Sequence, residues 1–324
     1  MGLSGVLLSI LVLSSGNLEP KINQIQVIGT HNSYHKISEY ISRFKDRFNA
    51  FEMLYYELPP IRAQLDVGIR CFELDLHYHI KHGWLVLHVP KLDEESHCRL
   101  LLDCLHEFRR WSNENPNHLP IWIILDLTNE YINWEGYRLP GVSELKELET
   151  VILESVGIEK IVTPDSVRGD FPTLEDAVLN NNWISLSEAR GKFLFIFHNK
   201  GRLRRTYTGE DKSLRGKLMF VNSLPGEGYS ATIISVNPSN EEISSWVRRG
   251  YFVITFGCDP KLVSCDICPK IDDKAFASGA QVVMTDYPPE SPHPQTGYYL
   301  AFPKGETFRW NPLNCLNCEK LLGE

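Results

Sequence analysis

The sequence predicts an α/β protein built as one distorted (β/α)8 TIM barrel. Three observations carry this. Eight short apolar runs, β-branched and aromatic, recur along the chain without strict alternation, as suits strands of a parallel sheet covered on both faces. Segments with helical spacing or helix-start signals lie between many of them. The polar residues that a buried strand would exclude collect at one end of the runs, where a barrel places its chemistry. At about 150 residues per domain, 324 residues would suggest two domains, but an α/β barrel uses about 250 as one.

The runs are, in order, Ile25–Gly29, Ile69–Leu76, Trp84–Val89, Ile121–Leu127, Phe193–Phe197, Lys217–Val221, Tyr251–Thr255 and Ala280–Thr285. Between them, Pro60–Gly68 carries Ile61 and Leu65 and stops at a glycine. Glu94–Trp111 places Leu101, Leu105 and Phe108 on one stripe, and Ser143–Val156 repeats that pattern behind a serine cap. Pro238–Glu242 opens a helix that runs to Gly250, and Asp272–Ser278 opens another before Gly279. Ser223–Ser235 is glycine-rich and reads as a long loop. The expected organisation is a leader over 1–16, a barrel over 17–311 and a tail over 312–324, with the cysteine-bearing stretch from Gly297 onward packing outside the barrel.

Leu3–Leu13 is almost wholly apolar, too short to span a bilayer and suited to the core of a signal peptide. Ser14-Ser15-Gly16 supplies small residues for cleavage, although no Lys or Arg precedes Lys21. A buried first element is the alternative. The chain is therefore expected to be secreted, and its eight cysteines to be mainly disulfide-bonded. Cys98 and Cys104 can close a small loop. Cys265/Cys268 and Cys315/Cys318 also have the spacing of zinc half-sites, and free thiols are a third option. Cys71, inside an apolar run, is expected as a buried thiol. The net charge of −8 disfavours a nucleic-acid partner. No later segment is apolar enough for a membrane helix, and the protein is expected to act as a monomer.

The first run is followed by Gly29-Thr30-His31-Asn32-Ser33-Tyr34-His35, the second ends in Glu73-Leu74-Asp75, the third in His88, the fourth in Asp126 and the fifth in His198-Asn199-Lys200. Glu73 and Asp75 are two apart on a strand and share a face. Side by side they repel unless a cation or a shared proton neutralises them. With Asn32 and Asp126 they form an all-oxygen set, which selects Ca2+, and less readily Mg2+, over Zn2+. His31 and His88 are the expected proton-transfer pair beside that cation. Six other histidines (His77, His79, His82, His97, His106 and His118) are expected to be structural, and His35 to act behind the site.

These segments, with RGYFVITFGCD, DDKAFASGAQVVMTDYP and FRWNP further on, resemble the catalytic barrel of phosphatidylinositol-specific phospholipase C, most closely the compact, bacterial-type, calcium-dependent enzymes. The resemblance runs from about Asn23 to Asn311. It implies a calcium-dependent phosphodiesterase that cleaves phosphatidylinositol or phosphoinositides at a membrane surface, releasing diacylglycerol and an inositol phosphate by way of a cyclic phosphate. It implies that His31 contacts the scissile phosphate, that His88 is the general acid, and that Asn32, Glu73, Asp75 and Asp126 hold calcium. Relatives often have Glu where this chain has the shorter Asp126. They often carry basic residues where it has Ile254–Asp259, so His198 and Lys200 are expected to supply charge to the substrate and Tyr287 to stack on the inositol ring. Phe48–Tyr56 reads as an amphipathic helix packed on the barrel, with an apolar rim that contacts the membrane as the alternative. A glycerophosphodiester phosphodiesterase or sphingomyelinase D-like enzyme shares the barrel and metal site but usually begins with a different first-strand motif. An inactive secreted lipid-binding effector on the same scaffold is a third reading, opposed by the complete His, Asn, Glu and Asp set.

Overall fold

The computed structural model describes residues 19–44, 54–127, 134–258, 266–315 and 318. Ten strands form one sheet: β1 Ile25–Thr30, β2 Cys71–His79, β3 Gly83–Val86, β4 Ile121–Asp126, β5 Phe193–Phe197, β6 Met219–Val221, β7 Thr232–Ser235, β8 Phe252–Phe256, β9 Val282–Thr285 and β10 Arg309–Trp310. Eight of them run in the order β6-β5-β4-β2-β1-β9-β8-β7, with parallel pairing along this path. The ends of this path nearly meet. At the seam, the Thr232 hydroxyl donates to Val221 O at 2.9 Å, and Asn222 Oδ1 accepts from Ile234 N at 3.0 Å. The result is the barrel that the apolar runs predicted.

Two of its strands correct the sequence reading. Trp84–Val89 is not a barrel strand: β3 folds back antiparallel on β2, pairing Val86 with Leu76 and Trp84 with Tyr78. Only residues 77–83 separate the two runs, too few for a parallel crossover, which needs a dozen or more. The missing barrel strand is β7, inside the stretch read as a glycine-rich loop. The count of eight survived because one error offset the other.

The barrel is filled rather than hollow. Trp122 on β4 stacks on Phe252 of β8, the strand opposite, with centroids 5.2 Å apart. Trp183 plugs one end, 6.0 Å from the Phe252 ring, its indole N–H bonded to Gly250 O at 2.7 Å. Trimming a core aromatic of this kind to alanine typically costs about 3–5 kcal/mol. Outside, Phe108 of the helix Leu101–Glu114 meets Phe72 edge-on at 4.9 Å. Phe72 therefore faces outward, and by strand alternation Glu73 and Asp75 face the mouth. Gly29 has no room for a side chain. A Cβ there would lie 2.5 Å from Met284 Sδ and 2.7 Å from Cys71 Cβ, so the glycine lets β1 sit between β2 and β9.

The expected helices form, with shifted ends: Ile61–Asp66, Leu101–Glu114, Val142–Val156, Glu242–Arg248 and Cys268–Ala277. The helix from Val142 is capped not by a serine but by Glu144, whose carboxylate accepts from Gly141 N at 2.8 Å. Disulfides join Cys98 to Cys104, Cys258 to Cys268 and Cys315 to Cys318, and Cys71 is a buried free thiol. These pairings displace the zinc reading of the two short-spaced cysteine pairs. Beyond the barrel strands, β10 pairs antiparallel with β1. The leader over 1–16, most of Phe48–Tyr56 and Cys265 lie outside the described residues. Among the described residues, no helix is long and apolar enough to cross a membrane.

Candidate active site

Strand register assembles the site. Asp75 pairs with Asp126, and His198 follows the pair Leu125–Phe197, with His198 N donating to Leu125 O at 2.9 Å. Asp75, Asp126 and His198 thus form one row across β2, β4 and β5. Thr30 pairs with Phe72 on one side and Thr285 on the other, so the next residue, His31, falls between Glu73 and Asp286. The turn after β1 is fixed by buried polar groups. Ser33 Oγ accepts from Glu73 N at 2.9 Å, and Gln64 Nε2 donates to Ser33 O at 2.7 Å. Asn32 takes a left-handed backbone, φ 47°, which asparagine tolerates better than most residues. Its amide nitrogen donates to the Tyr56 hydroxyl at 2.7 Å.

His31 Nδ1 lies 2.8 Å from Asp286 Oδ1, and its Nε2 lies 3.6 Å from Glu73 Oε2. Burial lowers its pKa, but the carboxylates of Asp286 and Glu73 reverse that and push it up to about 10. The ring is still 36% exposed, so solvent screens part of this effect. His198 Nδ1 sits 3.0 Å from Asp126 Oδ2 and 3.4 Å from Glu73 Oε1. Burial again opposes, and Asp126 and Glu73 again prevail, raising it to about 10. Asp126 is also held by Asn199 Nδ2 at 2.8 Å. Asp75 has its pKa raised by burial and by the adjacent Glu73.

The second histidine stands across the mouth on the chain leaving β3. His88 is not at the end of a barrel strand; the hairpin brings it over the site, with Leu87 N bonded to Asp75 O. His88 Nδ1 lies 3.0 Å from Asp93 Oδ2, and the same oxygen lies 2.8 Å from His35 Nε2. Burial opposes ionisation of Asp93, but these two histidines hold its pKa below the ordinary carboxylate range. His77, next on the Glu73/Asp75 face, has Nε2 3.2 Å from His88 O, and burial lowers its pKa to about 4.

The structure therefore brings together His31, Asn32, Glu73, Asp75, His88, Asp126 and His198. Sequence reasoning missed Asp286, Asp93 and Phe256, whose ring meets His31 edge-on at 5.5 Å. Asp286 belongs to the TDYP segment, but both carboxylates sit in loops where no periodicity marks them. Lys200 is exposed two residues past His198, at the start of the helix Gly201–Thr208. Tyr287 is half-buried and packs edge-on against His293 at 5.1 Å.

The carboxylate cluster fits a hard cation. Glu73 Oε2 is buried and lacks a hydrogen-bond partner, an arrangement that costs about 1–3 kcal/mol unless something neutralises it. Glu73, Asp126 and His198 offer ligand atoms within 4.8 Å of one another, and Asp75 and Asn32 adjoin them.

A parallel barrel whose mouth sets two carboxylate-anchored histidines beside an acidic cluster able to hold a cation has the layout of an enzyme site. The family described as "Phosphoinositide phospholipase C, Ca2+-dependent" matches residues 21–84 and 77–312, and the chain belongs to that family of phosphoric diester hydrolases. Solved structures agree on the fold. A calcium-dependent phosphoinositol-specific phospholipase C from Pseudomonas sp. superposes with a TM-score of 0.62 at 17% identity, covering 90% of this chain and 96% of that one. A Ca2+-dependent phosphatidylinositol-specific phospholipase C from Streptomyces antibioticus gives 0.60 at 20% identity, covering 82% and 95%. An uncharacterized protein of Mycobacterium tuberculosis is 28% identical over 158 residues, 45% of this chain; the chain spans 30% of that relative's length.

Proposed function

We propose that the chain is a calcium-dependent phosphodiesterase that cleaves phosphatidylinositol or a phosphoinositide to diacylglycerol and inositol phosphate, by way of a cyclic 1,2-phosphate. The observation that carries this reading is the pair of anchored histidines, His31 on Asp286 and His88 on Asp93, beside a carboxylate cluster with an orphaned oxygen. Family membership supports the substrate class and the metal.

Asn32, Glu73, Asp75 and Asp126 would hold the calcium ion, which lowers the pKa of the inositol 2-hydroxyl and neutralises charge gathering at phosphorus. The chain's own groups do the rest. His31, its Nδ1 tied to Asp286, presents Nε2 to the scissile phosphate and hydrogen-bonds the oxygen that gains charge as the 2-hydroxyl attacks, the hydroxyl's proton passing to the free Glu73 Oε2. His88, its Nδ1 donated to Asp93, keeps Nε2 for the leaving group and delivers a proton to the diacylglycerol oxygen. His198 and Lys200 add positive charge to the same rim, and Tyr287 stacks on the inositol ring. The three disulfides, with the apolar Leu3–Leu13 segment, support secretion. N-terminal sequencing of exported protein should start near Asn17; an intact Met1 on a cytosolic product would refute export.

The decisive experiment is a metal-dependent assay on phosphatidylinositol, glycerophosphodiester and sphingomyelin. Phosphatidylinositol alone should turn over, chelator should abolish it, and Ca2+ should restore it better than Zn2+. Full turnover in excess chelator sinks the calcium assignment, and turnover of another substrate instead sinks the specificity. Asp75→Asn should weaken Ca2+ affinity, because each ligand carboxylate carries much of the site's charge.

A further inference from the structure

Beside the oxygen-rich cluster lies a second convergence of ligand atoms with different chemistry. Asp93 Oδ2 is 2.8 Å from His35 Nε2 and 3.0 Å from His88 Nδ1. Asp93 and His35 are wholly buried, while His88 reaches the mouth with 25% of its side chain exposed. The other oxygen of Asp93, Oδ1, is buried and has no hydrogen-bond partner. The far nitrogen of His35, Nδ1, lies 2.9 Å from Tyr56 O. A carbonyl only accepts, so Nδ1 is the donor there, which leaves Nε2 as the nitrogen turned to Asp93. Between Nε2 and the Asp93 oxygen there is room either for a shared proton, as an ordinary hydrogen bond, or for a metal ion in its place. Anchoring the far nitrogen on a backbone carbonyl is also how proteins set a histidine as a metal ligand. The ligand atoms of all three residues lie within 4.8 Å of one another, and the two nitrogen–oxygen spacings are shorter than the roughly 3.3 Å edge of a tetrahedron with metal–ligand bonds of about 2.0–2.1 Å, so a small outward shift would seat an ion.

We propose that His35, Asp93 and His88 form a site for a divalent ion of borderline softness, with Zn2+ the best fit, and that filling it turns the enzyme off. Two imidazoles, one carboxylate and an open fourth position suit Zn2+, whereas the neighbouring Asn32, Glu73, Asp75 and Asp126 suit Ca2+. The two sites thus sort metals by ligand chemistry. His88, with a quarter of its side chain exposed, opens the otherwise buried site to the barrel mouth. The off-switch rests on the role given to His88 above. A metal ion on Nδ1 takes the place of the proton shared with Asp93. It leaves Nε2 as the N–H of a metal-bound neutral imidazole, a far weaker acid than imidazolium. That ring no longer surrenders a proton to the diacylglycerol oxygen.

The test loads Ca2+-saturated wild-type protein with Co2+ and with Zn2+. Co2+ should give the strong visible absorption of a tetrahedral site at one equivalent, and X-ray absorption of the Zn2+ form should count two imidazole ligands. One imidazole would place the ion on Glu73, Asp126 and His198 and overturn the proposal, as would none. His35→Ala should weaken Zn2+ binding at least tenfold and His198→Ala should leave it unchanged; the reverse overturns it. Should His35→Ala fail to fold, the ligand count in wild-type protein decides alone. Zn2+ should abolish phosphatidylinositol turnover at saturating Ca2+ in wild type, whereas His35→Ala keeps whatever turnover it has when Zn2+ is added. Full wild-type turnover with the site loaded refutes the switch. The binding measurements need no turnover, so failure of the functional reading is seen separately, as inactivity in Ca2+ alone.

Discussion

His31 and His88 are held alike and placed differently. Each gives Nδ1 to a carboxylate, but His31 also faces Glu73 in the metal cluster, while His88 hangs over the mouth on Asp93. That difference predicts different responses to the leaving group. Acid–base residues typically contribute about 10²–10⁴-fold each, so both alanine variants should be crippled on phosphatidylinositol. A phenol-like leaving group departs without a proton, so it should largely rescue His88→Ala. It should not rescue His31→Ala, whose contact is with the phosphate. Values of kcat/KM for both variants on both substrates decide; equal rescue would mean that the acid is misassigned. At this scale the sequence revealed what strand geometry repeats. Glu73 and Asp75 announce a shared face because strand side chains alternate every two residues. Asp93 and Asp286 stayed hidden because their value comes from register and loop path, which bring residues 5 and 255 positions from their histidines into contact.

At the scale of elements, the barrel closes at its weakest point, between two short strands. Asn222 holds that seam in several directions. Its Oδ1 accepts from Ile234 N at 3.0 Å, its Nδ2 donates to His198 O at 3.1 Å, and its carbonyl accepts from Arg204 at 2.7 Å. Asn222→Ala leaves a buried N–H and a buried carbonyl unpaired, at about 1–3 kcal/mol each. The melting temperature should drop by roughly 5 °C or more. The variant should also lose activity, because the carbonyl that Asn222 grips belongs to His198. A variant as stable and active as wild type would show that the seam is held elsewhere. The same seam explains the misread strand. Thr232–Ser235 is four residues long and follows Gly226 and Gly228, so composition around it says loop; only its partner β8 makes it a strand. The hairpin error has the opposite cause, since Trp84–Val89 has the composition of a barrel strand and lacks only the chain length to become one.

At the scale of the molecule, a net charge of −8 coexists with a site that concentrates carboxylates and answers them with imidazolium. Without calcium, His31 and His198 serve as the counter-charges, and both have pKa values raised from the ordinary 6.5 to about 10. A histidine whose folded pKa is raised contributes stability that is complete below its unfolded pKa and disappears as pH climbs through the folded one. In chelator, the melting temperature should therefore fall between about pH 6.5 and pH 10. Asp75 acts in the same direction but lower on the scale: its folded pKa of about 7 lies above the ordinary 3.8, so it costs stability as pH climbs between those values and adds little above pH 7. Calcium should reverse the trend. As the imidazoliums lose their protons they stop competing for Glu73 and Asp126, so the rise in melting temperature at a fixed Ca2+ concentration should be larger at pH 9 than at pH 6. Each tenfold gain in affinity adds about 1.4 kcal/mol to that difference. His198→Gln removes one competitor and should flatten both curves. A chelator profile flat across this range, or a calcium shift equal at pH 6 and pH 9, would mean that the two histidines are neutral in the metal-free protein and that the cluster balances its charge another way.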